Sequence, residues 1–281
     1  LATIAFFTAV ALVSNPASPQ QVSTVPIKLG LGLADALRVY QHRVYVPQQN
    51  TGTVGMLIIN VEDPRNPRIE GQIDGKITGG NLTSIHSVNH WKGYAHLAPG
   101  PAQDYAITDV RSPSSPKVVG RYSGPEEMHE AAAFKGRAYL AEGQSGSYAI
   151  FDVQDPANPK LLGRTARVSG YSHDAVPSAD GRYMVGTDEF ATPTSTQFRV
   201  WDISNPASPT VVGSYSSAQY LGAAESATVH RMHYRDQYIF NSHYGAGVLL
   251  WDSTDPKALK LQDRFDTSPL TGGGFKGAIS V

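Results

Sequence analysis

A motif built around two prolines recurs along the chain and limits its fold more than any other feature. The segment Ser14-Asn15-Pro16-Ala17-Ser18-Pro19 returns letter for letter at residues 204–209. Related copies extend the series, and the six motifs span residues 14–19, 61–67, 110–116, 153–159, 203–209 and 253–259. Their first prolines are separated by 48, 49, 43, 50 and 50 residues. A period of this length is typical of one blade of a β-propeller.

Each motif lies between two short apolar runs, which predicts a strand, a turn and a strand. An Asp or Asn before proline starts a turn, and each proline fixes φ and lacks an amide donor. Upstream of each motif, two further apolar runs flank a short turn, as in residues 129–140, and predict a hairpin. The sequence therefore predicts an all-β protein, a single β-propeller domain over residues 1–281 with six visible blades of four antiparallel strands.

The two ends of the chain leave the blade number open. Leu1 to Val13 is apolar but lacks a basic start and runs into the first motif, which favours a strand over a signal peptide. Phe275 to Val281 is typical of the first strand of a blade. Either the ends share one blade and close a six-membered ring, or the chain is a fragment of a larger propeller, such as a seven-bladed one.

Composition excludes several classes of partner and chemistry. The 23 Lys and Arg nearly balance the 24 Asp and Glu, so a net charge of -1 gives no electrostatic reason to expect nucleic acid or an anionic membrane as a partner. The absence of Cys excludes disulfides and thiolate nucleophiles. Because no run reaches the roughly 18 apolar residues of a membrane-spanning helix, no transmembrane segment is predicted.

The motif, written D-V-x-D-P-x-x-P-x-x-x-G, resembles the LVIVD-repeat propellers, including the secreted choice-of-anchor B proteins. The resemblance spans nearly the whole chain and is densest in residues 171–174, 187–189, 244–248 and 265–267. The sixth motif departs from the pattern because Leu259 replaces the second proline. The resemblance implies a propeller fold and an extracellular or cell-envelope location, and it implies no particular reaction.

Alignment of the hairpins places Asp35, His86, His129, His173 and His230 at one equivalent position of successive blades, with a slip of one residue for the last two. Equivalent positions in a radial array point to equivalent places, so we expect these side chains to converge on the central channel. The channel would then be lined by four of the nine histidines.

Convergent imidazoles favour a metal site. His86, His129, His173 and His230 are the candidate ligands of one transition-metal ion, namely Zn, Fe, Mn or Cu. Glu130, Asp174 and Glu189 are candidates for orienting the imidazoles from a second layer. The alternative is that the histidines line a wet channel and bind no metal.

The remaining histidines give weaker signals. His90 and His233 follow ring positions by a few residues, and His243 stands beside Tyr244, so a surface or structural role is favoured for each. His42 lies in a predicted hairpin turn, where we expect it to be solvated.

Three functions fit this pattern. The first is a secreted binding or scaffold module that holds a small molecule, a glycan or a protein at the mouth of the channel. The second is a metal-dependent hydrolase or oxidoreductase that uses the histidine ring. The third is a metal-independent polysaccharide lyase or hydrolase, for which Arg38, Arg231 and Arg235 offer only a sparse basic lining.

Overall fold

The structure is a computed structural model that describes residues 6–11, 20–26, 36–49, 52–74, 83–100, 104–192, 194–221, 228–265 and 277–278. Strands β1 (Phe6–Ala11) and β2 (Gln20–Pro26) form an antiparallel pair. The other strands form five four-stranded sheets, and within each sheet neighbouring strands follow chain order.

The five sheets have similar strand lengths. The first contains β3 (Arg38–Tyr40), β4 (Arg43–Pro47), β5 (Val54–Asn60) and β6 (Arg68–Asp74). The second contains β7 (Ser87–Trp91), β8 (Tyr94–Ala98), β9 (Asp104–Asp109) and β10 (Lys117–Ser123). The third contains β11 (Glu130–Phe134), β12 (Arg137–Ala141), β13 (Tyr148–Asp152) and β14 (Lys160–Arg164). The fourth contains β15 (Ser172–Pro177), β16 (Tyr183–Asp188), β17 (Phe198–Asp202) and β18 (Thr210–Tyr215), followed by the short helix α1 (Ser217–Tyr220). The fifth contains β19 (Met232–Arg235), β20 (Tyr238–Ser242), β21 (Val248–Asp252) and β22 (Lys260–Phe265).

The prediction of four-stranded antiparallel blades is confirmed, but the predicted number of six is wrong. The described residues form five such sheets together with the β1–β2 pair. In each of these five sheets the proline motif joins the third strand to the fourth, and the motif at 14–19 lies outside the described residues. Because a motif marks only this one turn, the number of motifs exceeds the number of complete sheets.

Side-chain hydrogen bonds to the backbone make the motif a turn. In the third sheet, Asp152 Oδ1 accepts from the amide of Gln154 at 2.9 Å, and Asp155 Oδ1 accepts from the amide of Ala157 at 3.0 Å. The amide of Asn158 then closes the turn on the carbonyl of Asp155 at 3.1 Å. These bonds satisfy backbone donors that the end of a strand leaves without a ladder partner, as short acidic and amide side chains commonly do.

The glycine that ends the motif packs against the turn of the next sheet. A methyl group on Gly163 of β14 would overlap the carbonyl oxygen of Pro206 and lie 2.8 Å from the Cα of Ala207. Gly71 of β6 lies in the same way against the carbonyl of Pro113. The motif therefore sets the close approach of successive sheets as well as the turn within one sheet.

The departure at Leu259 has a structural reason. Leu259 is buried in the core of the fifth sheet, and its amide donates to the hydroxyl of Tyr215 at 2.7 Å. A proline has no amide hydrogen and could not make this bond. At this position the fourth and fifth sheets are joined through Tyr215.

The chain divides into two compact units, each with an apolar core. The first unit comprises Leu1–Pro99 and Ala106–Val119, and the second comprises Gly100–Tyr105 and Gly120–Val281. The largest buried side chains of the second unit include Trp201 and Trp251. Among the described residues, no helix has the length and apolar character needed to cross a membrane.

We predict that Gly163→Ala lowers the free energy of unfolding by about 1–3 kcal/mol, because the added methyl overpacks a site closed by backbone. Chemical denaturation measures the change. Gly213→Ala is the matched control at the equivalent position of β18, where an added methyl meets Tyr215 ring and hydroxyl atoms at 3.1 and 3.3 Å. A loss at Gly163 no larger than the loss at Gly213 would contradict the proposed packing role.

Candidate functional site

Three histidines of the second unit lie at the start of the first strands of consecutive sheets. The amide of His129 donates to the carbonyl of Ala141, and the amide of His230 donates to the carbonyl of Ser242, each at 2.9 Å. Both carbonyls belong to the last residue of the second strand in their sheet. The two histidines are therefore structurally equivalent, and the one-residue slip that the sequence alignment assigns to His230 is absent.

His173 reaches the same region through a β-bulge. The pairing of β15 with β16 shifts between Ser172 and Ala175, which places His173 and Asp174 within the irregularity. The amide of Asp174 donates to Thr187 Oγ1 at 3.0 Å. A bulge re-aims the side chain that it contains, which accounts for the one-residue slip in the sequence alignment.

The three imidazoles form a buried row, which we call the histidine cluster (His129, His173 and His230). The ring centroids of His129 and His173 are 4.7 Å apart, and those of His173 and His230 are 4.2 Å apart. The residues are 7%, 1% and 3% exposed, respectively. Burial, together with repulsion from His230, His129 and Arg231, lowers the pKa of His173 well below its usual range, so His173 is neutral near pH 7.

Glu189 faces two members of the cluster. Its Oε2 is 3.6 Å from His173 Nε2, and its Oε1 is 3.5 Å from His230 Nε2. One ligand atom from each of His173, Glu189 and His230 lies within 4.8 Å of the other two. The Glu189 side chain is still 11% exposed, so the group borders on solvent.

Tyr244 orients Glu189 from a strained backbone position. Its hydroxyl donates to Glu189 Oε1 at 2.7 Å. The φ of Tyr244 is +40°, and its amide and carbonyl both bond to Ala278 at 3.0 Å. Positive φ is unfavourable for an aromatic residue and persists only where surrounding contacts require it. The backbone pairing with Ala278 is such a contact.

A second carboxylate fixes the ring of His129. The Tyr171 hydroxyl lies 2.5 Å from Glu127 Oε1 and 2.7 Å from His129 Nδ1, and Glu127 Oε1 is 3.3 Å from the same nitrogen. Burial would raise the pKa of Glu127, but hydrogen bonds from His129 and Tyr171 outweigh it and lower the pKa. With Glu127 ionised and accepting from Tyr171, His129 Nδ1 carries the proton. The lone pair of His129 is then on Nε2.

A buried ion pair completes the site. Arg231 Nη2 donates to Glu130 Oε1, and both side chains are 2% exposed. Arg231 Nη1 lies 3.4 Å from His230 Nδ1. Among the described residues that contact the histidine cluster, the carboxylates of Glu127, Glu130 and Glu189 thus outnumber the guanidinium of Arg231.

Asp174, His86 and Asp35 are the remaining residues that the sequence alignment singles out. Asp174 accepts from the amides of Ala175 and Met232, each at 2.9 Å, so its carboxylate holds the start of β19 beside β15. His86 belongs to the first unit, where its amide donates to the carbonyl of Ala98 at 2.9 Å, equivalent to the bonds of His129 and His230. Asp35 lies outside the described residues.

Four further histidines each have a different local environment. His90 stacks on Tyr40 in the first unit with a centroid separation of 3.7 Å, and burial lowers its pKa to about 4. His42 is exposed in its turn, and His233 is exposed on β19. His243 is fully buried, with Nε2 2.9 Å from the Tyr220 hydroxyl.

Sequence reasoning missed Glu127, Tyr171, Tyr244 and the pairing of Arg231. Residues two apart in an extended segment point to the same side, and Glu127 and Tyr171 each precede a cluster histidine by two. Arg231 follows His230 as Glu130 follows His129 and Asp174 follows His173, so the same alignment contains it. For Tyr244, only its place in the stretch that resembles the LVIVD propellers gave a signal.

Solved structures define the class of fold. The chain is similar to a protein from Lactobacillus plantarum (TM-score 0.68, 12% identity, covering 87% of this chain and 75% of that one). It is similar to a periplasmic gluconolactonase of Pseudomonas aeruginosa (TM-score 0.67, 14% identity, 90% and 77% coverage). It is also similar to a putative 6-phosphogluconolactonase from Bacteroides uniformis (TM-score 0.67, 12% identity, 91% and 76% coverage). At these identities the likeness shows the fold alone, an all-β propeller with four-stranded antiparallel blades.

Residues 195–217 match the LVIVD repeat family. This stretch contains β17, the motif at 203–209 and β18. The chain is therefore a β-propeller that carries an LVIVD repeat, as its motif predicts. No curated protein sequence matches the chain.

We predict that acid destabilises the fold through its buried neutral histidines. Burial lowers the pKa of His243 to about 4, below the unfolded value of about 6.5. The unfolded chain therefore binds the proton first, and stability falls as pH drops from 6.5 towards 4. This one residue should account for about 2 kcal/mol between pH 7 and pH 5.

Urea denaturation of His243→Gln at the two pH values measures this contribution, because Gln keeps a partner for Tyr220 and does not titrate. The exposed His233→Gln is the control and should retain the parental slope. An unchanged slope in His243→Gln would show that the buried imidazole does not resist protonation.

Proposed function

We propose that this protein is a metal-binding β-propeller in which His173, His230 and Glu189 hold one divalent transition-metal ion. The observation that carries the proposal is the spacing of two imidazole nitrogens and a carboxylate, at 3.5 and 3.6 Å. Two ligands at about 2.1 Å from a tetrahedral ion are about 3.4 Å apart. The three groups therefore need only small shifts to share an ion.

The donor set suits a metal of intermediate softness. Two imidazoles and one carboxylate are the protein ligands of catalytic zinc sites and of non-haem iron sites. The neutral state of His173 leaves a nitrogen lone pair available near pH 7. The excess of carboxylates over guanidinium around the cluster favours a bound cation. Zn, Fe, Mn and Cu all meet these conditions.

Three protein ligands leave a coordination position for water or substrate, which is typical of a catalytic site and not of a closed structural site. The metal would lower the pKa of bound water and so supply a nucleophile at neutral pH. The reaction class that follows is metal-assisted hydrolysis. Glu127 and Glu189, whose side chains are 13% and 11% exposed, mark the side from which a substrate could enter.

A binding module without chemistry is the second candidate function. Phe190 is 56% exposed and packs against Tyr171 with a centroid separation of 4.7 Å. An exposed aromatic ring beside a polar cluster is suited to contact with a glycan, a small molecule or a protein. The lyase hypothesis gains less support, because Arg231 is neutralised by Glu130 and Arg235 is exposed on β19. An extracellular or cell-envelope location is part of the proposal and rests on the family resemblance.

Metal content separates these functions. We predict close to one equivalent of metal in protein purified without a histidine tag and reconstituted, and under about one-tenth of an equivalent in a His173→Gln, His230→Gln double variant. Elemental analysis measures both, and circular dichroism confirms that the variant is folded. His233→Gln, His243→Gln is the matched control and should retain the metal. A parent protein without metal would overturn the proposal and leave the binding module.

The reaction class is tested on the metal-loaded protein. We predict hydrolysis of an ester-type substrate that disappears on chelation and falls about ten- to a hundredfold in Glu189→Gln. The panel includes lactones, since two of the structural neighbours are named as lactonases, together with carboxylic and phosphate esters. Stoichiometric metal without turnover of any of the three ester classes would contradict a hydrolytic role.

A further inference from the structure

Arg231 is held in place on both its backbone and its side chain. Its amide donates to Ser242 Oγ at 3.0 Å, and its carbonyl accepts from the Ser242 amide at 2.9 Å and from Asn241 Nδ2 at 3.2 Å. The guanidinium is buried and is paired with Glu130. The 3.4 Å approach of Nη1 to His230 Nδ1 is therefore fixed by the surrounding structure.

This contact assigns a proton on His230. A guanidinium only donates hydrogen bonds, so a neutral His230 must present its Nδ1 lone pair to Arg231. Its proton is then on Nε2, directed at Glu189 Oε1 3.5 Å away. These two contacts thus favour the tautomer opposite to the one that metal binding through Nε2 requires.

Metal ligation through His230 Nε2 reverses this arrangement. The proton moves to Nδ1, and two N–H donors would then face each other across the 3.4 Å contact. A metal-bound histidine normally donates its second N–H to a carboxylate, a carbonyl or water. The group beside His230 Nδ1 is the Arg231 guanidinium, which cannot accept a hydrogen bond. Arg231 must therefore withdraw towards Glu130 when the metal binds.

We infer that Arg231 opposes metal binding at His230 and that its ion pair with Glu130 sets the affinity and reversibility of the metal site. The inference rests on the proposed function and adds a control residue to it. Glu130 limits the opposition, since it neutralises the guanidinium and draws Nη2 away from the imidazole. The metal affinity of the site is thereby set by two opposing effects, the repulsion by Arg231 and its neutralisation by Glu130.

The test compares Zn²⁺ dissociation constants, measured by competition with a chromophoric chelator, in the parent protein and three variants. In Arg231→Gln the new side chain removes the charge and can accept from Nδ1–H, so binding should tighten by about ten- to a hundredfold. Glu130→Gln leaves the guanidinium without its partner and should weaken binding by a similar factor. The double variant Glu130→Gln, Arg231→Gln leaves no buried charge unpaired and should bind more tightly than the parent.

A second Arg–Glu pair, in which the Arg164 side chain is 28% exposed, provides the control. Arg164 Nε donates to Glu142 Oε1 at 2.8 Å, Glu142 is fully buried, and the described partners of this pair outside it are Tyr122 and Ser147. Glu142→Gln, Arg164→Gln should leave the Zn²⁺ affinity unchanged. If this control also tightens binding, the effect is structural and the inference is overturned.

The nitrogen chemical shifts of ¹⁵N-labelled histidine report the tautomer of His230 directly. We expect a proton on Nε2 in the metal-free parent and on Nδ1 in the Zn²⁺-loaded protein. A His173-dependent metal site in the parent without tighter binding in Arg231→Gln overturns this inference and leaves the proposed function intact. Zn²⁺ binding in Arg231→Gln but not in the parent supports the inference and overturns the proposed function. No binding in any variant overturns both.

Discussion

The turn between the third and fourth strands of each sheet is the constraint on which the rest of the structure depends. Its acidic or amide side chains satisfy the amides at the strand end, and its prolines stop the ladder from continuing. The same turn receives the glycine of the preceding sheet, as Gly163 lies against Pro206 in the second unit and Gly71 against Pro113 in the first. One local motif therefore determines both the hairpin turn and the packing of successive sheets. This double role accounts for the similarity of its copies along the chain.

The candidate site follows from this repetition. When successive sheets stack with the same geometry, residues that open the first strand of each sheet approach one another. His129 and His230 occupy that position with equivalent backbone bonds, and the bulge in β15 brings His173 between them. Asp174 then ties β15 to β19 by accepting from Met232. The repeat builds the scaffold, and the bulge in β15 adjusts the position of the histidine that contacts both neighbours.

The repeated strands, turns and sheets were predictable from the sequence, whereas the individual side-chain contacts of the candidate site were not. The strand–turn–strand pattern, the four-stranded sheets and the equivalence of His129 and His230 follow from a period of about fifty residues. The prediction of six blades was wrong because each motif marks only one turn. The presence of that turn does not establish a complete four-stranded sheet. Glu130 and Arg231 occupy equivalent positions of the repeat, but their pairing, like the contacts of Tyr171 and Tyr244, depends on side-chain directions between sheets that spacing along the chain does not define.

The cluster is costly to bury, which argues that stability alone does not explain it. An ion pair removed from water gains little over apolar packing of the same volume, and a buried carboxylate beside neutral imidazoles gains less. Glu189 receives a hydrogen bond from Tyr244 and two longer contacts from histidines, and Tyr244 holds a positive φ to supply it. In the same unit, Trp201 and Trp251 show that large apolar side chains fill comparable interior volume. A chain that keeps charges, imidazoles and backbone strain together in one place is organised there for binding or chemistry.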